Sequence, residues 1–231
     1  MKLVVQIPAY NEEGLIERAI ENVRRSIPLA PFDKIAVVVL NDASTDRTIQ
    51  AAQRAKVEHI VSLEQHGGLG VVFKRGLSFA LESGADVIVN IDADLQYRGE
   101  EIPLLVKPIL DRQADMVIGN RQLVNIPGYP KSKLMSQEAG NRLISSLYHA
   151  DIKDSTSGFR AMSRECAQLL ALQLENPYTY TIESLCILLN NKQRIEFVPI
   201  NINETLRESR LIKNKFRYIQ NYLQTVFKYK K

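Results

Sequence analysis

The sequence predicts an α/β fold in which a mostly parallel central sheet is flanked by helices. Short apolar runs rich in β-branched residues alternate with amphipathic helical segments, and the loops between them are short. Such alternation places parallel strands side by side through right-handed crossovers. With 231 residues, the chain is long enough for one domain with a sizeable core.

The apolar runs predict strands, and segments with helical spacing of apolar residues predict helices. The predicted strands are Lys2–Ile7, Ile35–Leu40, Val57–Ser62, a run that opens at Val87, Asp115–Gly119 and Ile195–Ile200. The predicted helices are a segment after Asn11, then Arg47–Ala55, Val71–Ser83, Pro103–Arg112, Lys133–Tyr148 and Glu183–Asn190. Residues 125–130, rich in Gly and Pro, are predicted to form a loop.

The strand that opens at Val87 leads into three side chains with oxygen ligands, Asp92, Asp94 and Gln96. If the chain stays extended, these side chains share one side, because strand residues alternate with period two. Two carboxylates and an amide oxygen suit Mg²⁺ or Mn²⁺ holding a diphosphate. The alternative from these residues alone is a polar turn that closes the strand.

Other strand ends also carry polar or aromatic residues, and ligands of open α/β sheets collect at the carboxyl ends of the strands. Tyr10 offers a ring for stacking on a nucleobase, and Asp42 offers a hydrogen-bond acceptor for base or ribose. Together with Asp92 and Asp94 they predict a nucleoside-diphosphate site. The segment Gly68-Leu-Gly70 lacks the third glycine of a dinucleotide fingerprint, so it predicts a loop of close backbone approach instead.

Positive charge is concentrated at the C-terminus. From Thr205 to Lys231 eight Lys or Arg and one acid give +7, whereas the whole chain carries +4, so the remainder is near −3. Apolar residues at helical spacing in this segment predict a basic amphipathic helix, which suits a membrane surface or packs on the domain. We therefore divide the chain into a domain of residues 1–204 and a basic segment of residues 205–231.

No apolar run reaches the roughly 18 residues of a membrane span, and the N-terminus enters a predicted strand without a signal peptide. Cys166 and Cys186 have apolar neighbours and no metal-ligand spacing, which predicts buried free thiols in a reducing compartment. We expect a cytoplasmic protein, peripheral on the inner face of the membrane. Basic charge confined to one terminus argues against nucleic acid as a partner.

Six segments spread over nearly the whole chain resemble family 2 glycosyltransferases of the GT-A fold, in particular the dolichyl- and polyprenyl-phosphate sugar transferases. These segments are Ile7–Glu12, Asn41–Asp46, Gly68–Gly76, Asp92–Gln96, Asp154–Arg160 and Leu206–Leu211. The resemblance implies a Rossmann-like nucleotide-binding sheet, a UDP- or GDP-sugar donor and inversion at the sugar carbon. It also implies that the nucleoside is bound by Pro8, Tyr10, Asn11, Glu12 and Asp42. Asp92 and Asp94 would form the metal and diphosphate motif, with Gln96 assisting.

The acceptor decides which further residues are needed. A polyprenyl phosphate is already anionic and needs cations, for which the candidates are Arg121, Lys133, Arg160, Arg207 and Arg210. A saccharide hydroxyl needs a general base, and Asp154 is the candidate. Three functions remain open: transfer to polyprenyl phosphate, transfer to a saccharide, and non-catalytic binding of a nucleotide.

Overall fold

The structure, a computed structural model, describes residues 1–27, 31–203 and 215–230. Within these residues one sheet contains β1 (Lys2–Ala9), β2 (Lys34–Asn41), β3 (His59–Ser62), β4 (Val87–Asn90), β5 (Met116–Asn120), β6 (Arg160–Ser163) and β7 (Ile195–Pro199). Their order across the sheet is β3-β2-β1-β4-β6-β5-β7. All neighbouring pairs are parallel except those made by β6, which runs antiparallel to both β4 and β5. The mostly parallel α/β fold predicted from the sequence is therefore confirmed.

Helices cover both faces of this sheet. In the described part of the chain they are α1 (Ile16–Ser26), α2 (Thr48–Arg54), α3 (Leu69–Glu82), α4 (Ile102–Leu110), α5 (Lys131–Tyr148), α6 (Arg164–Gln173), α7 (Tyr180–Asn190) and α8 (Lys215–Lys228). The first core cluster includes residues of α3, α5, α6, α7 and α8, and the second includes residues of α1, α2 and α4.

The central strands are apolar on both faces, which explains their continuous hydrophobic runs. In β1, Val4 belongs to the first cluster, whereas Leu3 and Val5 belong to the second. In β2, Val38 and Val39 divide in the same way between the two clusters. Alternate side chains of each strand thus pack against the helical layer on one face of the sheet or on the other. Because a one-residue shift would move each side chain to the wrong face, this packing fixes the register of the strands that carry the site.

Two elements were missing from the sequence-based prediction, namely β6 and α6. Four residues, Arg-Ala-Met-Ser, form β6, and its first residue is charged, so the segment has no apolar run. Ser163 then caps α6 by accepting a hydrogen bond from the Cys166 N–H at 3.2 Å. Cys166 and Cys186 are free and buried, as predicted.

The predicted amphipathic helix near the C-terminus is α8, and one of its faces packs on the domain. Tyr222, Thr225 and Val226 pack inward, whereas Ile219 and Leu223 are exposed. None of the helices in the described ranges is long and apolar enough to cross a bilayer. The predicted boundary between residues 204 and 205 lies outside the described residues.

Candidate active site

The carboxyl ends of β1, β2 and β4 meet at one edge of the sheet. Ala9 pairs with Asn41 across β1 and β2, and Gln6 pairs with Asn90 across β1 and β4. Pro8 is buried at the end of β1, and the chain then leaves the sheet at Tyr10. The segments that begin at Tyr10, Asp42 and Ile91 therefore start from the same edge, where ligands of such sheets collect.

The chain does not stay extended after β4, so the predicted period-two arrangement of Asp92, Asp94 and Gln96 is wrong. The strand ends at Asn90, and residues 93–95 form a turn with Leu95 at a φ of 61°. Asp94 Oδ1 accepts a hydrogen bond from the Gln96 N–H at 3.0 Å, which holds this turn. The two carboxylates are brought together by a turn rather than by strand alternation.

The Asp92 carboxylate lies in a shielded position and is incompletely paired. Its Oδ1 is buried and has no hydrogen-bond partner within the described part of the chain. It lies against the backbone of Gly158, where an added Cβ would be 2.7 Å from Oδ2. Burial, followed by the charge of Asp94, raises the pKa of Asp92 to about 7. An anion held this way is stabilised when a cation binds beside it.

The donor set fits a divalent ion that is shared with a diphosphate. No group of three His, Cys, Asp or Glu side chains suitable for a metal occurs among the described residues. Mg²⁺ in phosphate-transferring sites is held by one or two carboxylates plus substrate oxygens. The adjacent Asp92 and Asp94, with the unpartnered Oδ1, meet that requirement.

Asp42 is buried and organises the loop of residues 66–70, which we call the glycine loop. Its Oδ1 accepts from the Gly67 N–H at 2.7 Å and its Oδ2 from the Gly68 N–H at 3.0 Å. His66 Nδ1 lies 3.0 Å from Oδ2. The close backbone approach predicted for this segment is therefore present, and its partner here is the protein itself.

Tyr10 and His66 form a stacked pair of rings at the same edge, with centroids 4.1 Å apart and planes 25° apart. The Tyr10 residue is 36% exposed, so part of its surface faces solvent. One face of the Tyr10 ring is therefore covered by His66. His66 was not predicted as a site residue, because Tyr10 is 56 positions away in the sequence and a lone His carries no motif.

The turns after β1 and β2 interlock through the backbone. Asn11 has a φ of 55°, and its N–H donates to Ser44 Oγ at 3.0 Å while its Oδ1 accepts from the Thr45 N–H at 2.8 Å. The Glu12 N–H donates to Thr48 Oγ1 at 2.7 Å. These contacts hold Asn11 and Glu12 next to the loop that carries Asp42.

Asp154 is almost fully buried and fully paired. It forms a bidentate ion pair with Arg121, at 2.8 Å from Nε to Oδ2 and 2.8 Å from Nη2 to Oδ1. Gln137 Nε2 on α5 also donates to Oδ1 at 2.7 Å. Both oxygens of this carboxylate are thus occupied by donors from the protein itself.

The other cationic candidates lie in different settings. Arg160 is fully buried and donates to the backbone carbonyls of Ser157, Thr181 and Ser155 at 2.8, 3.0 and 3.1 Å. Its guanidinium thus joins the loop of residues 155–157 to the first turn of α7, and we do not retain it as a phosphate ligand. Lys133 is exposed on α5. Arg207 and Arg210 lie outside the described residues.

A polar network connects the segment Asp154–Arg160 to residues 92–96, which we call the acidic turn. Asn90 Nδ2 donates to the Gly158 carbonyl at 2.8 Å, and the Gly158 N–H donates to the Tyr97 hydroxyl at 3.0 Å. Neither Tyr97 nor the closeness of Gly158 to Asp92 was predicted, since these contacts join residues 61 or more positions apart. The signal that was available was a glycine within the Asp154–Arg160 motif.

Comparisons with known proteins agree with this geometry. The family model described as glycosyl transferase family 2 matches residues 4–170. A UDP-N-acetylglucosamine–dolichyl-phosphate N-acetylglucosaminyltransferase of Methanococcus voltae is 30% identical over 217 residues, which cover 84% of this chain and 82% of the relative. An undecaprenyl-phosphate mannosyltransferase of Micrococcus luteus is 28% identical over 223 residues, which cover 91% of this chain and 88% of the relative.

A solved structure supports the fold assignment. Glucosyl-3-phosphoglycerate synthase from Mycobacterium tuberculosis, in complex with Mn²⁺, UDP and phosphoglyceric acid, superposes with a TM-score of 0.76 at 24% identity. The match covers 97% of this chain and 78% of that protein. The family model covers well over half of the sequence and agrees with the motifs from which the resemblance was predicted. The chain belongs to glycosyl transferase family 2 and is a glycosyltransferase.

Proposed function

We propose that this glycosyltransferase moves a sugar from a UDP- or GDP-sugar to a polyprenyl phosphate, with inversion at the sugar carbon. The observation that carries the proposal is the acidic turn, in which the unpartnered Oδ1 of Asp92 lies beside Asp94 at the edge that bears Tyr10 and Asp42. Both relatives described above are named for transfer to dolichyl or undecaprenyl phosphate.

In this proposal Asp92 and Asp94, assisted by Gln96, hold Mg²⁺ or Mn²⁺. When bound, the ion supplies positive charge to the leaving diphosphate as a Lewis acid. Tyr10 stacks on the base, while Asp42 keeps the glycine loop closed beside it. Pro8, Asn11 and Glu12 shape the floor of the nucleoside site through the interlocked turns.

The nature of the acceptor follows from the state of Asp154. Its ion pair with Arg121 and its bond from Gln137 leave it poorly suited to remove a proton from a sugar hydroxyl. A lipid phosphate needs no base, because its oxygen is already anionic. Two of the guanidinium nitrogens of Arg121 are engaged by Asp154, so Lys133, Arg207 and Arg210 are the cations we propose for the acceptor phosphate.

Contact with a membrane surface is part of the same proposal. Ile219, Leu223 and Phe227 recur at four-residue spacing on α8 and are 53%, 39% and 55% exposed, respectively. Lys228 is the last residue of this helix, where its Nζ pairs with Glu175 at 2.6 Å, and Lys230 follows the helix. An exposed apolar stripe with adjacent lysines suits the surface of an anionic bilayer, which we place at the cytosolic face.

The decisive experiment measures turnover of UDP- and GDP-sugars with polyprenyl phosphate, unphosphorylated polyprenol or an oligosaccharide as acceptor. Each reaction is run with Mn²⁺, with Mg²⁺ and with EDTA. We expect product only with the phosphorylated lipid and a divalent ion. Asp94→Ala should abolish it, whereas Asp111→Ala, which removes an exposed carboxylate on α4's C-terminal side, should not.

Each contrary result is informative. Transfer to the oligosaccharide would favour a saccharide acceptor, and nucleotide binding without turnover would favour a non-catalytic module. Unchanged turnover in Asp94→Ala would overturn the assignment of the metal site.

The membrane contact is tested separately with liposomes that contain anionic lipid. Lys230→Glu should weaken binding, by about 1 kcal/mol per charge removed near the surface and more for a reversal, and the loss should shrink at high salt. Leu223→Ser should weaken binding at every salt concentration. Binding that ignores both substitutions would argue against α8 as the contact surface.

A further inference from the structure

Residues 174–179, between α6 and α7, form the outer support of the glycine loop; we call them the bridging loop. The Gly70 N–H donates to the Pro177 carbonyl at 2.8 Å, and a Cβ at Gly70 would collide with the Asn176 carbonyl oxygen. Lys74 Nζ on α3 donates to the Leu174 carbonyl at 2.8 Å. The glycine loop is thus held between the Asp42 carboxylate on one side and the bridging loop on the other.

The bridging loop is in turn organised by Glu183, a carboxylate of α7 that is 1% exposed. It accepts from the Asn176 N–H at 2.8 Å and from the Glu175 N–H at 3.2 Å. The Tyr229 hydroxyl, just beyond α8, donates to it at 2.6 Å. A buried charge is tolerated only when it is well hydrogen-bonded, so these donors are strongly coupled to one another.

A second contact joins α8 to the same loop. Thr225 Oγ1 lies 2.8 Å from Thr179 Oγ1, and Asn176 Nδ2 donates to it at 3.3 Å. The hydrogen bonds among Asn176, Thr179 and Thr225 are therefore buried or partly buried. The end of α8 therefore contacts the bridging loop directly at Thr225 and at Lys228, whose Nζ pairs with Glu175 at 2.6 Å, while Tyr229 reaches the loop through Glu183.

We propose that Glu183 and Tyr229 are positioning residues for the nucleotide site, and that they act through the bridging loop. This inference rests on the proposed function, since it assigns the nucleotide to the edge formed by Asp42 and the glycine loop. The contacts run from the Tyr229 hydroxyl through Glu183 and the bridging loop to Gly70. The glycine loop then continues them to Gly67 and Gly68, whose N–H groups donate to Asp42. The docking of α8 thereby sets the geometry of the loop that closes on the nucleotide.

A matched control exists within the same helix contact. The Tyr148 hydroxyl on α5 donates to the Val226 carbonyl at 3.0 Å, which also anchors α8. This bond does not involve the bridging loop. Tyr229→Phe and Tyr148→Phe each remove one hydroxyl that holds α8, but only the first removes a donor from Glu183.

The experiment compares the unsubstituted chain with Tyr229→Phe, Thr225→Val and Tyr148→Phe. Calorimetry gives the Kd for UDP and for GDP in the presence of Mn²⁺, thermal unfolding gives stability, and turnover gives KM and kcat. We expect Tyr229→Phe and Thr225→Val to raise the nucleotide Kd and the donor KM roughly 3- to 10-fold, with kcat within about twofold. Tyr148→Phe should lose comparable stability and leave the Kd within about twofold.

The possible outcomes separate the two proposals. If wild type binds a nucleotide and all three variants bind it equally well, the positioning role is wrong while the proposed function stands. If Tyr148→Phe weakens binding as much as Tyr229→Phe at the same loss of stability, the effect is general loosening and the inference fails. If wild type binds neither nucleotide, the proposed function fails and this inference fails with it.

Discussion

Asp92 and Asp154 are both shielded carboxylates near one edge of the sheet, and their surroundings are opposite. Asp154 accepts bonds from both Arg121 and Gln137, whereas Asp92 Oδ1 has no partner in the described part of the chain. Pairing stabilises the charged form of a carboxylate, and burial without pairing disfavours it. The pKa of Asp92 accordingly rises to about 7 through burial and the charge of Asp94.

This difference separates a residue that supports the fold from one that is available to a ligand. A buried charge without partners costs free energy, and its usual justification is a functional one. The two carboxylates therefore predict opposite responses to the same substitution, in which Asp becomes Asn. Activity should depend most on Asp92 and stability most on Asp154.

The largest expected effect is the loss of turnover in Asp92→Asn. Removing one of two acidic metal ligands should lower metal-dependent sugar transfer on the order of 10³-fold or more, because ion charge contributes several kcal/mol to such reactions. Steady-state turnover at saturating Mn²⁺ measures the change. Circular dichroism should show an intact fold, and a variant that retains turnover would place the metal elsewhere.

Asp154→Asn should instead reduce stability. Removing one partner of a buried ion pair costs about 3 kcal/mol, because Arg121, with a side chain 12% exposed, keeps its charge without its counterion. Denaturant unfolding gives this value directly. If Asp154 were the general base for a hydroxyl acceptor, turnover would collapse in this variant while the folded protein remained as stable as wild type.

Much of the fold could be predicted from the sequence because burial on both faces leaves a visible pattern. The strands ending near Tyr10, Asp42 and Asn90 are continuous apolar runs, so their edge was predictable. In contrast, β6 opens with Arg160, whose buried guanidinium donates to the Ser157 carbonyl and to the carbonyl of Thr181, 21 positions away. The turn after Asp92 was one of two alternatives that the sequence left open, because the positive φ of Leu95 cannot be inferred from its side chain.

The sequence predicted which residue types form the site, but it did not predict the hydrogen-bond and ion-pair partners of those residues. The carboxylates Asp42, Asp92 and Asp154 were all singled out, but the sequence could not assign their surroundings. Arg121 and Asp154 are 33 positions apart, and Gly67 is 25 positions from Asp42. Such pairings depend on how the sheet orders its strands, which local pattern does not encode.

Gly158→Ala should produce a moderate effect on the unpaired carboxylate. Its Cβ would lie 2.7 Å from Asp92 Oδ2, so the carboxylate must shift. A displacement of this kind lowers catalysis by roughly 10- to 100-fold. Gly14→Ala is the matched control, because a Cβ there meets nothing within 4 Å. Equal turnover in the two variants would mean that the position of Asp92 is not critical.

The smallest expected effect is a pH-dependent difference in stability between wild type and Asp92→Asn, measured without metal. The folded pKa of Asp92 is raised from 3.8 to about 7, so the folded state binds more protons than the unfolded state between these values. Stability of wild type should therefore decrease as pH rises through this window. Asn does not ionise, so this loss should be absent from the variant.

Denaturant unfolding at pH 4, 6 and 8 in EDTA tests this directly. The stability of Asp92→Asn relative to wild type should increase from pH 4 to pH 8 and then level off. A relative stability that is constant over the range would mean that Asp92 is as well paired as Asp154. The difference in pairing between Asp92 and Asp154, on which the metal assignment rests, would then disappear, because a carboxylate that is already paired is not further stabilised by a bound cation to the same extent.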